Sequence, residues 1–128
     1  MKENDISRIV YRSAIEVHRT LGGTGLLESV YEEALAYELS IQGLHVKRQV
    51  CLPIVYKEVT LASPLRIDLI VADKLIVECK AATVYNKIFE AQLLTYLRLT
   101  GLKLGLVVNF GEKILRRGIH RVVNGLDE

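Results

Sequence analysis

Leu65-Arg66-Ile67-Asp68-Leu69-Ile70-Val71 and, after Ala72-Asp73-Lys74, Leu75-Ile76-Val77-Glu78-Cys79-Lys80 decide how the rest of the chain is read. Residues 65–71 and 75–79 carry Ile, Leu and Val on both faces, which predicts two central strands covered on each side. The short polar segment between them predicts a hairpin. Three charged residues stand out against this background, because a buried charge is costly unless it is paired or binds a metal. Asp68 interrupts the first strand, while Glu78 and Lys80 close the second. Their i, i+2 spacing puts Glu78 and Lys80 on one face. Whether Asp68 joins them depends on register. A three-residue loop opposes Val71 to Leu75 and Asp68 to Glu78, whereas a two-residue loop opposes Asp68 to Cys79 and scatters the group. We expect the odd-length loop or an equivalent bulge.

Two carboxylates side by side repel, and each is harder to ionise without a cation between them. A hard divalent ion, Mg²⁺ or Mn²⁺, is the natural neutraliser, held by carboxylate oxygens with a backbone carbonyl and waters. Such an ion can activate water and offset charge at a phosphodiester. Lys80 beside it could orient or help deprotonate that water, or stabilise the developing charge. Glu-x-Lys alone is a weak signal, and a solvated, paired strand end accounts for Glu78 and Lys80 equally well. Asp68 across the hairpin is what shifts the balance towards a hydrolytic site.

Working outward, Ile6, Ile9, Val10, Val17 and Leu21 fall at helical spacing. They predict a first helix over 5–21, capped by Asp5 and ended by Gly22-Gly23. Thr24 can cap a second helix over 25–42, with Leu27, Val30, Tyr31, Ala34, Leu35 and Leu39 apolar and Gly43 as its stop. Residues 46–59 are rich in β-branched side chains, with Pro53 marking an edge or interruption. A third helix is expected over 83–99 with Ile88, Ala91, Leu94 and Leu97 towards the core. Residues 104–110 read as a buried strand and 114–123 as a last, basic edge strand. The order is α-α-β-β-β-α-β-β, an α/β fold in which a central mixed sheet is flanked by helices.

The chain has 128 residues, half hydrophobic and a quarter charged, which suits one globular domain over 1–128. Seventeen basic residues against fifteen acidic ones leave a formal charge of +2, too little to announce nucleic acid by itself. Cys51 and Cys79 lie in strand-like runs, away from metal-ligand spacing, and read as reduced, buried core residues. No apolar run reaches the roughly 20 residues that span a bilayer. The N-terminus has no secretory pattern, so a cytoplasmic setting without a membrane partner is expected. Tyr11, Tyr37, Tyr56 and Tyr85 read as core-rim groups, and His18, His45 and His120 show no mutual ligand spacing.

Gly25-Leu26-Leu27-Glu28-Ser29-Val30-Tyr31 resembles the Gly-x-x-Glu-x-x-Tyr signature of the GxxExxY family, which belongs to the PD-(D/E)XK nuclease superfamily with its restriction-endonuclease-like core. The resemblance continues through Arg48-Gln49-Val50, the segment 66–71, Glu78-Cys79-Lys80, the segment 90–97 and Val108-Asn109-Phe110-Gly111, in the family's order. It implies that Asp68 and Glu78 form the metal-binding pair and that Lys80 is the catalytic lysine. Glu28 resembles the superfamily's helical acidic residue, which adds a metal or metal-water contact. Gln92 and Tyr96, four apart on the third helix, resemble a Gln-x-x-x-Tyr element in which the Gln can reach the metal site or DNA. The sequence departs from the superfamily in two places. Arg66-Ile67 replaces the Pro that usually precedes the strand acid, and Cys79 fills a position that is usually aliphatic.

Arg116, Arg117 and Arg121, with Lys113 and His120, make a basic strip near the C-terminus. Phosphate contact is one reading; a charged edge strand that resists aggregation is the other. The function implied is Mg²⁺- or Mn²⁺-dependent hydrolysis of phosphodiesters in DNA, with a homodimer or protein partner supplying specificity. The competing reading is a catalytically silent nuclease-fold module that binds nucleic acid or a protein.

Overall fold

A computed structural model describes residues 1–127. Helix α1 covers Glu3–Thr20 and buries Ile6, Val10, Ala14 and Val17, the stripe expected of it. Asp5 is not its cap but sits within the first turn, accepting the Lys2 N–H at 3.2 Å. Helix α2 covers Glu28–Ile41, starting three residues later than the sequence suggested and capped by Leu27 rather than Thr24. Gly25 explains the delay. Its φ of 106° is open to glycine but not to a helix.

After Gly43 the chain enters β1 (Val46–Leu52), which Pro53 ends. The residues 46–59 are therefore not one strand. A separate hairpin, β2 (Val55–Tyr56) and β3 (Val59–Thr60), turns at Lys57 with φ 56°. Next come β4 (Leu65–Val71) and β5 (Leu75–Lys80), paired Val71 to Leu75, Ile70 to Ile76 and Leu69 to Val77. That is the register of a three-residue loop, as expected. Ala72 and Asp73 take left-handed φ values of 53° and 56° to close it.

Helix α3 (Ile88–Thr100) crosses back so that β6 (Leu104–Asn109) lies parallel to β5. It begins five residues after Thr83, where the Asn86 side chain accepts the Ile88 N–H at 2.9 Å. Its buried face is Leu93 and Leu97, whereas Ile88 and Ala91 point to solvent. A short 3-10 turn, Leu115–Gly118, precedes β7 (Ile119–Val123), so the last strand is half the length expected. The sheet order is β1-β4-β5-β6-β7, with β1 and β7 at the edges.

Helices α1 and α2 cover one face of the sheet through Leu35, Leu69, Val77 and Leu106, among others. Helix α3 covers the other through Ile67, Ile76, Leu93, Leu97 and Val107. Burying each such side chain contributes about 1.5–3 kcal/mol. Cys79 is buried as expected, but Cys51 is exposed because β1 is an edge strand. Tyr37 and Tyr56 are also exposed rather than at the core rim. No helix among the described residues is long and apolar enough to cross a membrane.

The chain leaving β5 is clasped to the end of β6. Asn109, almost fully buried, accepts N–H groups of Ala82 and Gly111 at 2.9 and 3.1 Å and donates to the Ala82 carbonyl at 3.0 Å. A Cβ on Gly111 would strike the Ala82 backbone, which has no flexible end to yield. Gly111→Ala is therefore expected to destabilise the protein by about 2 kcal/mol or more, measured as a loss in urea unfolding.

Candidate active site

The site lies at the end of the sheet where β4 and β5 part. Their ladder stops at Leu69 and Val77. Beyond it the Asp68 carboxylate takes the place of a backbone carbonyl: its Oδ2 accepts the Cys79 N–H at 2.9 Å. β4 also changes its facing here. Ile67 packs under α3, whereas Leu69 packs under α1 and α2. On the other side, the β1–β4 pairs Arg48–Leu69 and Val50–Ile67 flank an unpaired Gln49 and Asp68.

Glu78 and Lys80 project from β5 towards α3, sharing the face of Ile76 as their spacing implied. The Lys80 Nζ stands 4.7 Å from the centre of the Phe89 ring on α3, a cation–π distance that holds the ammonium at the site's wall. Glu78 is only 6% exposed, and its Oε1 has no hydrogen-bond partner. Burial, and then the neighbouring Asp68 charge, push its carboxyl up to about 9. An unsatisfied buried acceptor next to a second carboxylate is a position in want of a cation or a proton.

Glu28 opens the first turn of α2. Partial burial raises its pKa, the Lys80 charge opposes that rise, and Asp68 and Glu32 add to it. The Gly-x-x-Glu-x-x-Tyr segment has a physical reading in this arrangement. Tyr31 stacks on Phe110 at 4.6 Å, donates to the Gly23 carbonyl at 2.7 Å and accepts the Leu26 N–H at 3.1 Å. The tyrosine thus latches the glycine loop and sets where α2 starts, and Glu28 follows from that.

Tyr96 lies half-buried on α3. Its phenol is raised by burial and then by the charges of Glu78 and Asp68, so it neighbours the acidic pair. Gln92, exposed, is one turn from both Phe89 and Tyr96. Arg116 and Arg117 are exposed on the 3-10 turn that follows the end of β6, the end that meets Lys80. Arg121 is elsewhere. It pairs with Leu106 in mid-strand and donates to Asn4 of α1 at 2.7 Å, on the face opposite α3. The three arginines do not form one strip.

Glu32 and Gln49, both in this neighbourhood, were given no role from the sequence. Glu32, 4% exposed, accepts from Gln49 at 2.6 Å and from Arg48 at 3.3 Å. Burial raises its pKa, the Gln49 bond opposes that rise, and the Asp68 charge adds to it. Its spacing of four from Glu28 was the available signal, since i and i+4 share a helix face.

Among the described residues, no three or more His, Cys, Asp or Glu side chains already converge to enclose a metal ion. The donor set nevertheless fits a hard divalent cation: two neighbouring carboxylates, one with an orphaned buried oxygen, and a third carboxylate on α2. Hard cations take oxygen ligands, and Mg²⁺ needs few from the protein. The family model for the PD-(D/E)XK nuclease superfamily matches residues 4–122. Among curated proteins and among solved structures, none matches the chain.

Glu78 sets a pH dependence. A carboxyl raised from 4.5 to about 9 in the folded state keeps its proton there while the unfolded chain releases it. Stability of the metal-free protein therefore falls as pH rises between those two values. Glu78→Gln, which mimics the protonated form, is expected to be neutral at pH 4. At pH 8 it should stabilise on the order of 2 kcal/mol, or about 5–10 °C in melting temperature. Equal melting shifts at the two pH values would contradict this assignment.

Proposed function

Because this chain belongs to the PD-(D/E)XK nuclease superfamily, we propose that it is a Mg²⁺- or Mn²⁺-dependent nuclease that hydrolyses phosphodiester bonds in DNA. The observation that carries the reading is the buried, unpartnered Glu78 Oε1 beside the Asp68 carboxylate, on the same strand face as Lys80. Asp68 and Glu78 would hold the cation, with Glu28 contributing from α2. The bound cation supplies positive charge at the scissile phosphate and acidifies the attacking water.

The side chains divide the remaining work. Asp68 is held by the Cys79 amide, so its second oxygen keeps a defined direction. Lys80, braced by Phe89, puts a fixed positive charge where the pentavalent phosphate develops negative charge. Gln92 and Tyr96 offer polar groups from α3 along the same side. Arg116 and Arg117, exposed at the end of the sheet, would take flanking phosphates. Arg121 does not belong to that contact.

The test is a calorimetric titration of Mg²⁺ and Mn²⁺ into wild type and Asp68→Asn, beside a cleavage screen on single-stranded, duplex and branched DNA. Asn keeps an oxygen for the Cys79 N–H but loses the charge. We expect binding to weaken at least roughly 10-fold in Asp68→Asn. Lys80→Ala should retain the cation and lose cleavage by roughly 100-fold or more. Cation binding with no cleavage of any DNA would favour the silent module over the enzyme, and absence of cation binding by folded wild type would end the metal-site reading.

A further inference from the structure

We propose that Gln49 is a positioning residue for the Asp68 carboxylate, anchored in turn by Glu32 and Arg48. This rests on the nuclease reading of the site. Gln49 sits on the exposed edge strand β1, where nothing in the packing calls for a long amide side chain. Its backbone is nonetheless left-handed, with φ 50°, a conformation that non-glycine residues rarely adopt and that persists where the surroundings enforce it. It falls at the one step where the β1–β4 register skips a pair, Gln49 opposite Asp68.

The consequence is a bridge between two carboxylates. The Gln49 Nε2 donates to Glu32 Oε1 at 2.6 Å and lies 3.5 Å from Asp68 Oδ1. Asp68 Oδ2 is already taken by the Cys79 N–H. Both Asp68 oxygens thus face a donor, one from β5 and one from β1, and the carboxylate plane is set from two sides. Glu32 fixes the other end of the bridge, and Arg48 holds Glu32 at 3.3 Å.

The choice of an amide has a chemical reason. A Lys or Arg in this place would neutralise Asp68 and compete with a cation. A neutral amide orients the carboxylate and leaves its charge available. Glutamine also spans the gap from an edge strand to a helix carboxylate and a strand carboxylate at once.

Gln49→Gly separates positioning from folding, because glycine accepts the left-handed backbone while the amide is removed. Melting temperature should change little, because relief of the left-handed backbone offsets the lost bond to Glu32, whereas Mg²⁺ affinity measured by calorimetry should fall roughly 10-fold. Cleavage at low Mg²⁺ should fall with it and recover as the cation is raised. Gln49→Asn, which also tolerates this backbone and keeps a shorter amide, should lie between the two. Equal affinity in wild type and Gln49→Gly overturns the proposal. So does a parallel loss of melting temperature and affinity in Gln49→Gly without recovery in Gln49→Asn, the mark of a purely structural residue. Wild type that binds no cation removes the site reading itself, and this proposal with it; that failure is visible in the wild-type titration alone.

Discussion

A sheet in which two central strands part needs something to satisfy the amides at the fork. In this protein that group is a carboxylate. Asp68 accepts the Cys79 N–H beyond the last β4–β5 pair, in a region where an unsatisfied amide costs about 1–3 kcal/mol. A charged acceptor makes a shorter and stronger bond than a neutral one. The same contact that closes the sheet therefore holds a carboxylate in place among the acidic groups at this end of it. Stability and the proposed capacity to bind a cation meet in one side chain, and the neighbouring features follow from its placement. Glu78 is the first residue of β5 beyond the last pair, Lys80 is two residues on, and the unpaired step at Gln49 sits on the other flank of Asp68.

The electrostatics of this end of the sheet are opposite to those of the chain as a whole. The formal charge is +2, yet Asp68 acts on Glu28, Glu32 and Glu78, and Glu32 acts on Glu28 as well. Arg48 and Lys80 offset only part of that charge. A polyanion approaching this cluster meets repulsion unless a cation intervenes. Bulk charge is therefore a poor guide to the chemistry, because the decisive groups are few and gathered at one end of the sheet. The metal-free protein relieves the crowding by keeping a proton on Glu78; a divalent ion would relieve it by replacing that proton.

Much of this was legible in the sequence because it depends on short-range pattern. Loop parity between Val71 and Leu75 fixed which residues oppose each other, and alternation put Glu78 with Lys80. The parts that were missed depend on contacts between distant segments. Nothing local marks Gln49 as left-handed, and its partners are 17 and 19 residues away. Glu32 looks like any helix glutamate until β1 is laid against α2. The start of α2 was misplaced because the Tyr31 hydroxyl, not a side-chain cap, ends the loop before it. On α3 the phase was ambiguous, since Ile88, Phe89, Ala91, Leu93, Leu94, Leu97 and Leu99 leave almost no polar face to orient it. The C-terminal arginines illustrate a related limit. Sequence proximity grouped Arg121 with Arg116 and Arg117, but those two sit on the 3-10 turn whereas Arg121 is in mid-strand and reaches Asn4 of α1.

The topology also constrains how a substrate could reach the carboxylates. Asp68 lies midway along β4, just beyond its last pair with β5, and Glu78 and Lys80 close β5, so the antiparallel hairpin brings all three to the open end of that ladder. The parallel pairing of β5 with β6 puts Asn109 beside Lys80, and the 3-10 turn with Arg116 and Arg117 begins just past it. The β2–β3 hairpin leaves from Leu52 and returns at Leu65, the pair that ends the β1–β4 ladder on this same side. It carries exposed Val55, Tyr56 and Val59. A nucleic-acid strand lying across the end of the sheet would therefore have the arginine turn on one side and this hairpin on the other. One running along the β7 face past Arg121 would be separated from Glu78 by the width of β6, and from Asp68 by β6 and β5. The end-on path is the one that brings a phosphodiester to the carboxylates and Lys80.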